Sequence, residues 1–177
     1  MHQQSLDLMA RFAATVPAGA MVLDVGSRDV NGTFRELFPG EDRYIGIDIE
    51  AGSNVDVVVE PYRYPFADGA FSYIISGSAL EHVRRPWVWI KEIGRILRPG
   101  GQVCVIVPYS HQFHEHPVDC WRVFPDGLRE LFLEGGLVPL TLSMHDGTEH
   151  GFHPLTGEPL VSMNSDGFCD TFGIATK

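Results

Sequence analysis

The first residues whose types could bind a ligand lie at the end of an apolar run, Met21 to Val25, and directly after it, near the start of the chain. Asp24 lies at the end of this run and can attract an ammonium group, directly or through water, while Arg28 and the backbone amides of the turn can meet a carboxylate. Matched to the dinucleotide fingerprint GxGxxG, Gly26 fits, but Arg28 and Asn31 replace the second and third glycines. A dinucleotide is therefore the less favoured ligand, and a ligand with an amino-acid moiety the more favoured.

A second acidic residue, Asp48, ends the next apolar run, Tyr44 to Ile49. It follows Gly26 by roughly 20 residues, the separation at which a carboxylate in a strand–helix–strand unit accepts hydrogen bonds from ribose hydroxyls. The same carboxylate would repel a 2′-phosphate. The two acids together predict a ligand that contains a ribose.

A histidine-rich segment, residues 109–122, follows the apolar run Val103 to Val107. Its metal-ligating types are His111, His114, His116, Asp119 and Cys120. Their spacing matches neither a structural zinc motif nor the HExxH helix, so the sequence predicts no metal site here. Histidine also accepts a proton near neutral pH, which is the second interpretation of the segment.

The scaffold that would position these residues alternates strands with helices. Helices are predicted for the first dozen residues, with Ser5 as N-cap, for Pro86 to Leu97 and for Phe124 to Glu134. The predicted strands are Met21 to Val25, Tyr44 to Ile49, Val55 to Val59, Tyr73 to Ser76 and Val103 to Val107. Nearly continuous apolar strands between helices predict a mostly parallel sheet covered on both faces.

The C-terminal part breaks this alternation. Leu137 to Ser143 and Phe168 to Ala175 are predicted strands with no convincing helix between them, so we expect an antiparallel hairpin at a sheet edge. The connection from Met144 to Gly167 is longer than most structureless loops, which predicts a functional flap or disorder.

Composition limits the classes of partner. The 177 residues include 13 Lys and Arg against 23 Asp and Glu, a formal net charge of −10 with neutral histidines, which argues against nucleic acid. No apolar run approaches the roughly 18 residues of a membrane span. Asp7 and Arg11 interrupt any signal-peptide core, and three cysteines outside CxxC pairs indicate reduced thiols. We expect one domain, residues 1–177, in the cytoplasm and away from membranes.

Five ordered segments resemble the class I, Rossmann-like S-adenosylmethionine-dependent methyltransferases. They are VLDVGSRDVNG at Val22 to Gly32, Tyr44 to Ile49, Glu60 to Phe71, Ser78 to Val83 and Ile96 to Gly101. The resemblance extends from about Val22 to Val138 and implies a Rossmann-like three-layer α/β sandwich. It departs from the family in having only Gly26 before Gly32, and in Pro61, which lacks the amide N–H that often contacts the adenine.

The resemblance implies S-adenosylmethionine as cofactor. The cofactor-binding candidates are Asp24, Gly26, Ser27, Arg28, Asp48, Ile49, Glu60 and Ser76, with Glu60 in the place of the usual adenine-side Asp. The substrate-binding candidates are His114, His116, Tyr109, Trp121 and Arg122, although Trp121 and Arg122 also suit a purely supporting role in their loop.

Methyl transfer requires alignment of an acceptor with an activated donor and a group that accepts a proton. His82 and His111 follow the fourth and fifth strands and are the catalytic candidates. We therefore expect methylation of a small-molecule acceptor, with oxygen ahead of nitrogen because of the histidines. The alternatives are a cofactor-binding subunit without its own chemistry, which would complete a partner enzyme, and an NAD-dependent enzyme.

Overall fold

The fold is described from a computed structural model over residues 3–40, 43–114, 117–145, 149–152, 159–160 and 169–177. The helices are α1 (Gln3–Ala13), α2 (Pro86–Ile96) and α3 (Pro125–Glu134). The strands are β1 (Val22–Val25), β2 (Tyr44–Asp48), β3 (Val57–Val58), β4 (Phe71–Gly77), β5 (Leu97–Ser110), β6 (Val138–His145), β7 (Glu149–Phe152), β8 (Pro159–Leu160) and β9 (Cys169–Thr176). Short 3-10 turns lie at Arg35–Leu37 and Leu80–His82.

The described strands form one sheet in the order β3-β2-β1-β4-β5-β9-β6-β7-β8. The first five strands in this order are parallel, so their carboxyl ends meet at one edge of the sheet. The strand order reverses at β1. On one side of β1 the sheet continues through β2 and β3, and on the other side through β4 and β5. Open parallel sheets bind ligands outside such a reversal, because the loops after the strands diverge there.

Side chains alternate between two buried layers. Leu23 and Val103 pack with α2 and α3, whereas Val22, Cys104 and Ile106 pack with α1 on the other face. Because both faces are covered by helices, the central strands are apolar throughout. The predicted three-layer α/β sandwich with a mostly parallel sheet is confirmed.

The helix α2 forms where its pattern predicted. Pro86 stands in the first turn, where its missing N–H is no loss, and Trp89, Ile90 and Ile93 turn to the sheet. Chain direction changes at Leu97, where β5 begins.

The predicted N-cap was wrong. Ser5 lies inside α1, fully buried, and its hydroxyl donates to Asp170 Oδ2 at 2.6 Å. The helix begins at Gln3, so the hydroxyl faces β9 instead of the helix N-terminus. A serine in the first turn satisfies its hydroxyl with a tertiary partner as readily as with a backbone amide, and only the fold distinguishes the two.

The two predicted C-terminal strands pair antiparallel, as predicted, but β7 and β8 lie beyond them at the edge of the sheet. β9 inserts between β5 and β6 and is antiparallel to both. The described parts of the connection between Met144 and Gly167 include β7 and β8, which extend the sheet beyond β6. These two stretches are therefore not disordered, the predicted flap stays a prediction, and the rest of the connection lies outside the described residues.

Candidate functional site

A cavity of about 380 Å³ opens beyond the carboxyl ends of β1, β2 and β4. This volume falls in the range of roughly 300–1,000 Å³ typical of small-molecule and cofactor pockets. Its wall combines the segments after β1, β2, β3, β4 and β5 with Trp89 of α2. The site is therefore where the reversal of strand order predicts it.

Gly26 makes the first turn possible. Its φ of +83° lies in the left-handed region, and its amide donates to Ile47 O at 2.9 Å. A Cβ at this position would lie 2.4 Å from the Cβ of Ala79. Glycine is needed both for the backbone conformation and for the close approach of the loop after β4, and the lining of the cavity depends on that approach.

Asp24 is a buried carboxyl in the wall of the cavity. The Tyr44 hydroxyl donates to its Oδ2, and the Arg35 guanidinium lies 4.4 Å from the centre of the Tyr44 ring. Burial raises the pKa of Asp24 to about 7, against the opposing effects of Tyr44 and Arg35. A cationic ligand group at Asp24 would restore the ionised form, which matches the ammonium partner that the sequence predicts.

Asp48 is held at the end of β2 by two backbone amides. Its Oδ2 accepts from the Arg28 N–H at 3.3 Å and its Oδ1 from the Glu50 N–H at 3.0 Å. The carboxylate is thereby fixed in the lining of the cavity, as a ribose-binding acid requires. Arg28 Nη1 lies 2.5 Å from Glu50 Oε2, so this guanidinium already has an anionic partner at the rim.

The other cofactor candidates differ in whether they line the cavity. Ser27 and Ile49 line the cavity, and the Ser27 hydroxyl donates to Asn54 O at 3.0 Å. Ser76 lies outside the lining: it is fully buried and donates to Val25 O at 2.8 Å. Glu60 is exposed and also lies outside the lining.

Two residues next to Glu60 take its place in the wall. Pro61 and Tyr62 line the cavity, and the Arg85 guanidinium lies 4.9 Å from the centre of the Tyr62 ring. Tyr62 has a φ of +67°, a conformation that side chains rarely adopt. This turn brings its backbone to the cavity at the point where the sequence predicted an adenine contact.

His82 lies at the other end of the site. Its Nδ1 contacts Val118 O, and because a carbonyl only accepts, this contact assigns the ring proton to Nδ1 and the lone pair to Nε2. Burial lowers the pKa of His82, which favours the neutral ring. Its Nε2 lies 3.8 Å from Glu81 Oε1. A neutral histidine with an accepting Nε2 beside a cavity is suited to take a proton.

Glu81 is a cavity-lining acid that our sequence analysis did not select as a site residue. It is 1% exposed yet lines the cavity, and among the described residues its Oε2 has no hydrogen-bond partner. Burial raises the pKa of Glu81 to about 8. The available signal was an acid directly before His82, which gives no indication of burial.

Among the described residues of the histidine-rich segment, His114, Pro117 and Val118 line the cavity. The rings of His114 and His82 are 5.0 Å apart, and His114 lines the cavity. His111 packs on His114 at 4.5 Å but lies outside the lining, with its Nδ1 2.8 Å from Gln112 O. His116 lies outside the described residues.

The remaining acceptor-side candidates support the loop. The guanidinium of Arg122 donates to both oxygens of Asp119, at 2.5 and 2.7 Å, and this pairing lowers the pKa of Asp119. Trp121 Nε1 donates to Val83 O at 2.7 Å, and the ring of Tyr109 lies 5.5 Å from that of Phe124. None of the three candidates Tyr109, Trp121 and Arg122 lines the cavity.

Comparisons with known proteins agree with this architecture. Residues 23–105 match a family described as a methyltransferase domain. An uncharacterised methyltransferase of Mycobacterium sp. strain KMS is 34% identical over 106 residues, which are 54% of this chain and 41% of that protein. The chain thus spans about two fifths of the length of such relatives.

Two solved structures share the fold. A Bacillus halodurans protein, provisionally a methyltransferase, has a TM-score of 0.68 at 14% identity and covers 99% of both chains. An S-adenosylmethionine-dependent methyltransferase from Aquifex aeolicus has a TM-score of 0.65 at 14% identity, over 97% of this chain and 89% of its own.

The fold and the strand-end site define a class I methyltransferase architecture. The resemblance found in the sequence is confirmed: residues 23–105 match a methyltransferase-domain family, and the fold is shared with S-adenosylmethionine-dependent methyltransferases. These matches imply S-adenosylmethionine as the cofactor. The cavity fits it chemically: it combines a buried acid at Asp24 and a fixed acid at Asp48, groups that suit an ammonium and ribose hydroxyls, with the close approach at Gly26.

No helix within the described residues is long and apolar enough to cross a membrane.

Proposed function

We propose that this protein transfers a methyl group from S-adenosylmethionine to an oxygen, or less readily a nitrogen, of a small-molecule acceptor. The observation that carries the proposal is one cavity with two chemically different ends. Asp24 and Asp48 stand at the β1 and β2 end, and Glu81, His82 and His114 at the end formed after β4 and β5.

At the first end, the residues bind and orient. Asp48 is positioned to accept from ribose hydroxyls, since both its oxygens are directed by backbone amides. Asp24 is positioned to accept from the amino group of the methionine moiety. S-Adenosylmethionine supplies an activated methyl group on its sulfonium, so the protein needs no nucleophile of its own for the donor.

At the second end, the residues handle the acceptor proton. His82 is neutral, its Nδ1–H is directed to Val118 O, and its Nε2 carries a lone pair. Such a ring accepts the proton that a hydroxyl loses as its oxygen attacks the methyl carbon.

A small acceptor is supported by the size and charge of the molecule. The cavity holds about 380 Å³. The net charge of −10 opposes phosphate backbones. A small neutral or cationic hydroxyl compound therefore fits the site better than a nucleic acid.

The test is formation of S-adenosylhomocysteine from S-adenosylmethionine with a panel of small hydroxyl and amine compounds. We expect turnover with the wild type and a kcat about 10²–10⁴-fold lower in His82→Gln, with the KM for S-adenosylmethionine nearly unchanged. His111→Gln, outside the cavity lining, is the matched control, and we expect it to change kcat much less.

Two outcomes would overturn the proposal. In the first, the protein binds the cofactor but turns over none of the compounds, and turnover appears only with a partner and is unaffected by His82→Gln. The protein would then be a cofactor-binding subunit. Binding of NADH in place of S-adenosylhomocysteine would make it a nicotinamide-dependent enzyme.

A further inference from the structure

The acceptor end of the cavity holds a cluster that the methyl donor does not explain. Glu81, His82 and His114 each offer one ligand-type atom, and these atoms lie within 4.8 Å of one another. Two imidazoles and one carboxylate form a donor set that binds divalent transition metals and leaves coordination positions open. The segments that supply it come from two separate parts of the chain.

The tautomers of the cluster suit metal binding. His82 Nδ1 contacts Val118 O, and His114 Nδ1 lies 3.0 Å from Gln112 O. A histidine ligand usually donates its second N–H to a carbonyl or carboxylate, which fixes the ring and frees the other nitrogen for the ion. Both rings therefore have the outer contacts of a ligand, and both Nε2 atoms keep their lone pairs.

The carboxylate of the cluster is incompletely satisfied. Glu81 is 1% exposed, it lines the cavity, and its Oε2 has no hydrogen-bond partner among the described residues. A buried, unpartnered carboxyl oxygen destabilises a protein unless another group binds it. A cation in the cavity would supply the missing partner.

We propose that Glu81, His82 and His114 bind one divalent transition-metal ion, of the zinc type, at the acceptor end of the cavity. Adjacent donors of a tetrahedral site with bonds of about 2.0–2.1 Å stand roughly 3.3 Å apart, so the side chains must close by about 1.5 Å at most. The Nε2–Oε1 separation of His82 and Glu81, 3.8 Å, is already near that value.

The ion would also change how the acceptor is deprotonated, and this consequence rests on the proposed function. With the ion bound, His82 Nε2 is a ligand, so the role of proton acceptor proposed above for His82 applies to the metal-free protein. An acceptor hydroxyl at an open position becomes more acidic and releases its proton to solvent. Its oxygen then forms the bond to the methyl carbon while the sulfur–methyl bond breaks and leaves its electron pair on sulfur.

The metal test needs neither cofactor nor acceptor. We would titrate the full chain, freed of metal, with Co²⁺ while recording visible absorption, and with Zn²⁺ by calorimetry. We expect one equivalent of each ion, with the strong visible bands of four- or five-coordinate Co²⁺. Glu81→Gln and His114→Ala should each lower the metal affinity by more than about tenfold. Removing an outer-shell partner already lowers metal affinity about 10–100-fold, and removing a ligand should lower it at least as much.

Matched controls come from neighbouring ligand types. His111→Ala removes a ring 4.5 Å from His114, and Cys120→Ser removes an exposed thiol next to the loop. Both should keep the wild-type affinity within about twofold, and the Co²⁺ spectrum should lack a thiolate charge-transfer band. Circular dichroism of each variant verifies folding, and Glu81→Gln carries the test even where His82→Ala unfolds the loop.

Absence of Co²⁺ binding, or binding that persists in both Glu81→Gln and His114→Ala, overturns the proposal. So does loss of binding in Cys120→Ser. Titration of the same variants with S-adenosylhomocysteine separates the two proposals, because its affinity should be unaffected by loss of the metal ligands. A wild type that binds Co²⁺ but not S-adenosylhomocysteine would contradict the proposed function and support the metal site.

Discussion

The two ends of the cavity are built in different ways. At the cofactor end, Asp24 and Asp48 extend from parallel strands, and backbone amides or a buried tyrosine hold them. At the acceptor end, His114 stands on a loop that Arg122 and Asp119 hold by side-chain hydrogen bonds. The first end is part of the sheet, whereas the second depends on a side-chain network that can change without unfolding the sheet.

The largest effect should come from Gly26→Ala. The new Cβ would lie 2.4 Å from Ala79 Cβ in a backbone with φ of +83°, so we expect a loss of about 2–5 kcal/mol in the free energy of unfolding. Gly100→Ala is the control, because Gly100 also has a positive φ but no atom lies within 4 Å of the methyl group that alanine would add there. Its cost should be about 1–2 kcal/mol. Equal losses in urea denaturation would show that the close approach contributes nothing.

Arg122→Lys should loosen the acceptor end alone. Lysine cannot make both contacts to Asp119 Oδ1 and Oδ2, so we expect about 1.5–3 kcal/mol less stability. Hydrogen exchange should rise in residues 109–122, while the affinity for S-adenosylhomocysteine stays within about twofold. A large loss of that affinity would contradict the separation of the two ends.

The pH dependence of cofactor binding tests Asp24. Its pKa is about 7 before binding, and an ammonium partner favours the ionised form, so binding below pH 7 must release a proton. Affinity should therefore rise by up to about tenfold per pH unit up to pH 7 and level off above it. Calorimetry in buffers of different ionisation enthalpy measures the released proton.

Tyr44→Phe sharpens this prediction. The Tyr44 hydroxyl and Arg35 lower the pKa of Asp24, whereas Asp48 raises it. Loss of the hydroxyl should therefore raise this pKa, and the pH at which the affinity levels off should move above 7. Asp24→Asn should abolish the pH dependence. A midpoint that does not move in Tyr44→Phe would show that Asp24 is not the group that titrates.

The smallest effect should come from Arg28→Gln. The ion pair of Arg28 with Glu50 is partly exposed, 31% and 45% for the two side chains, and such pairs contribute about 0.2–1 kcal/mol. We expect less than about a fivefold change in affinity for S-adenosylhomocysteine. A loss as large as that of an Asp48 variant would show that Arg28 leaves Glu50 to bind the ligand.

The same contrast explains what could be predicted from sequence. Asp24 and Asp48 lie within the last two residues of β1 and β2, and Gly26 follows β1; strand ends are readable from apolar runs, so the positions of these residues in the cavity were predictable. Glu81 was not, because its burial arises from packing of distant segments. The hydroxyl partners of Ser5 and Ser76 were also not predictable, since a hydroxyl takes a tertiary or a backbone partner according to geometry that one sequence does not contain.

The most direct test of the account is calorimetric titration of the protein with S-adenosylhomocysteine, repeated on Asp48→Ala. We predict one site with micromolar affinity in the wild type and a loss of about 10–150-fold in the variant, the equivalent of 1.5–3 kcal/mol for hydrogen bonds to a charged group. Glu130→Ala removes an exposed carboxylate from α3 and should bind like the wild type. No binding by the wild type, or equal binding by Asp48→Ala, would contradict the cofactor site.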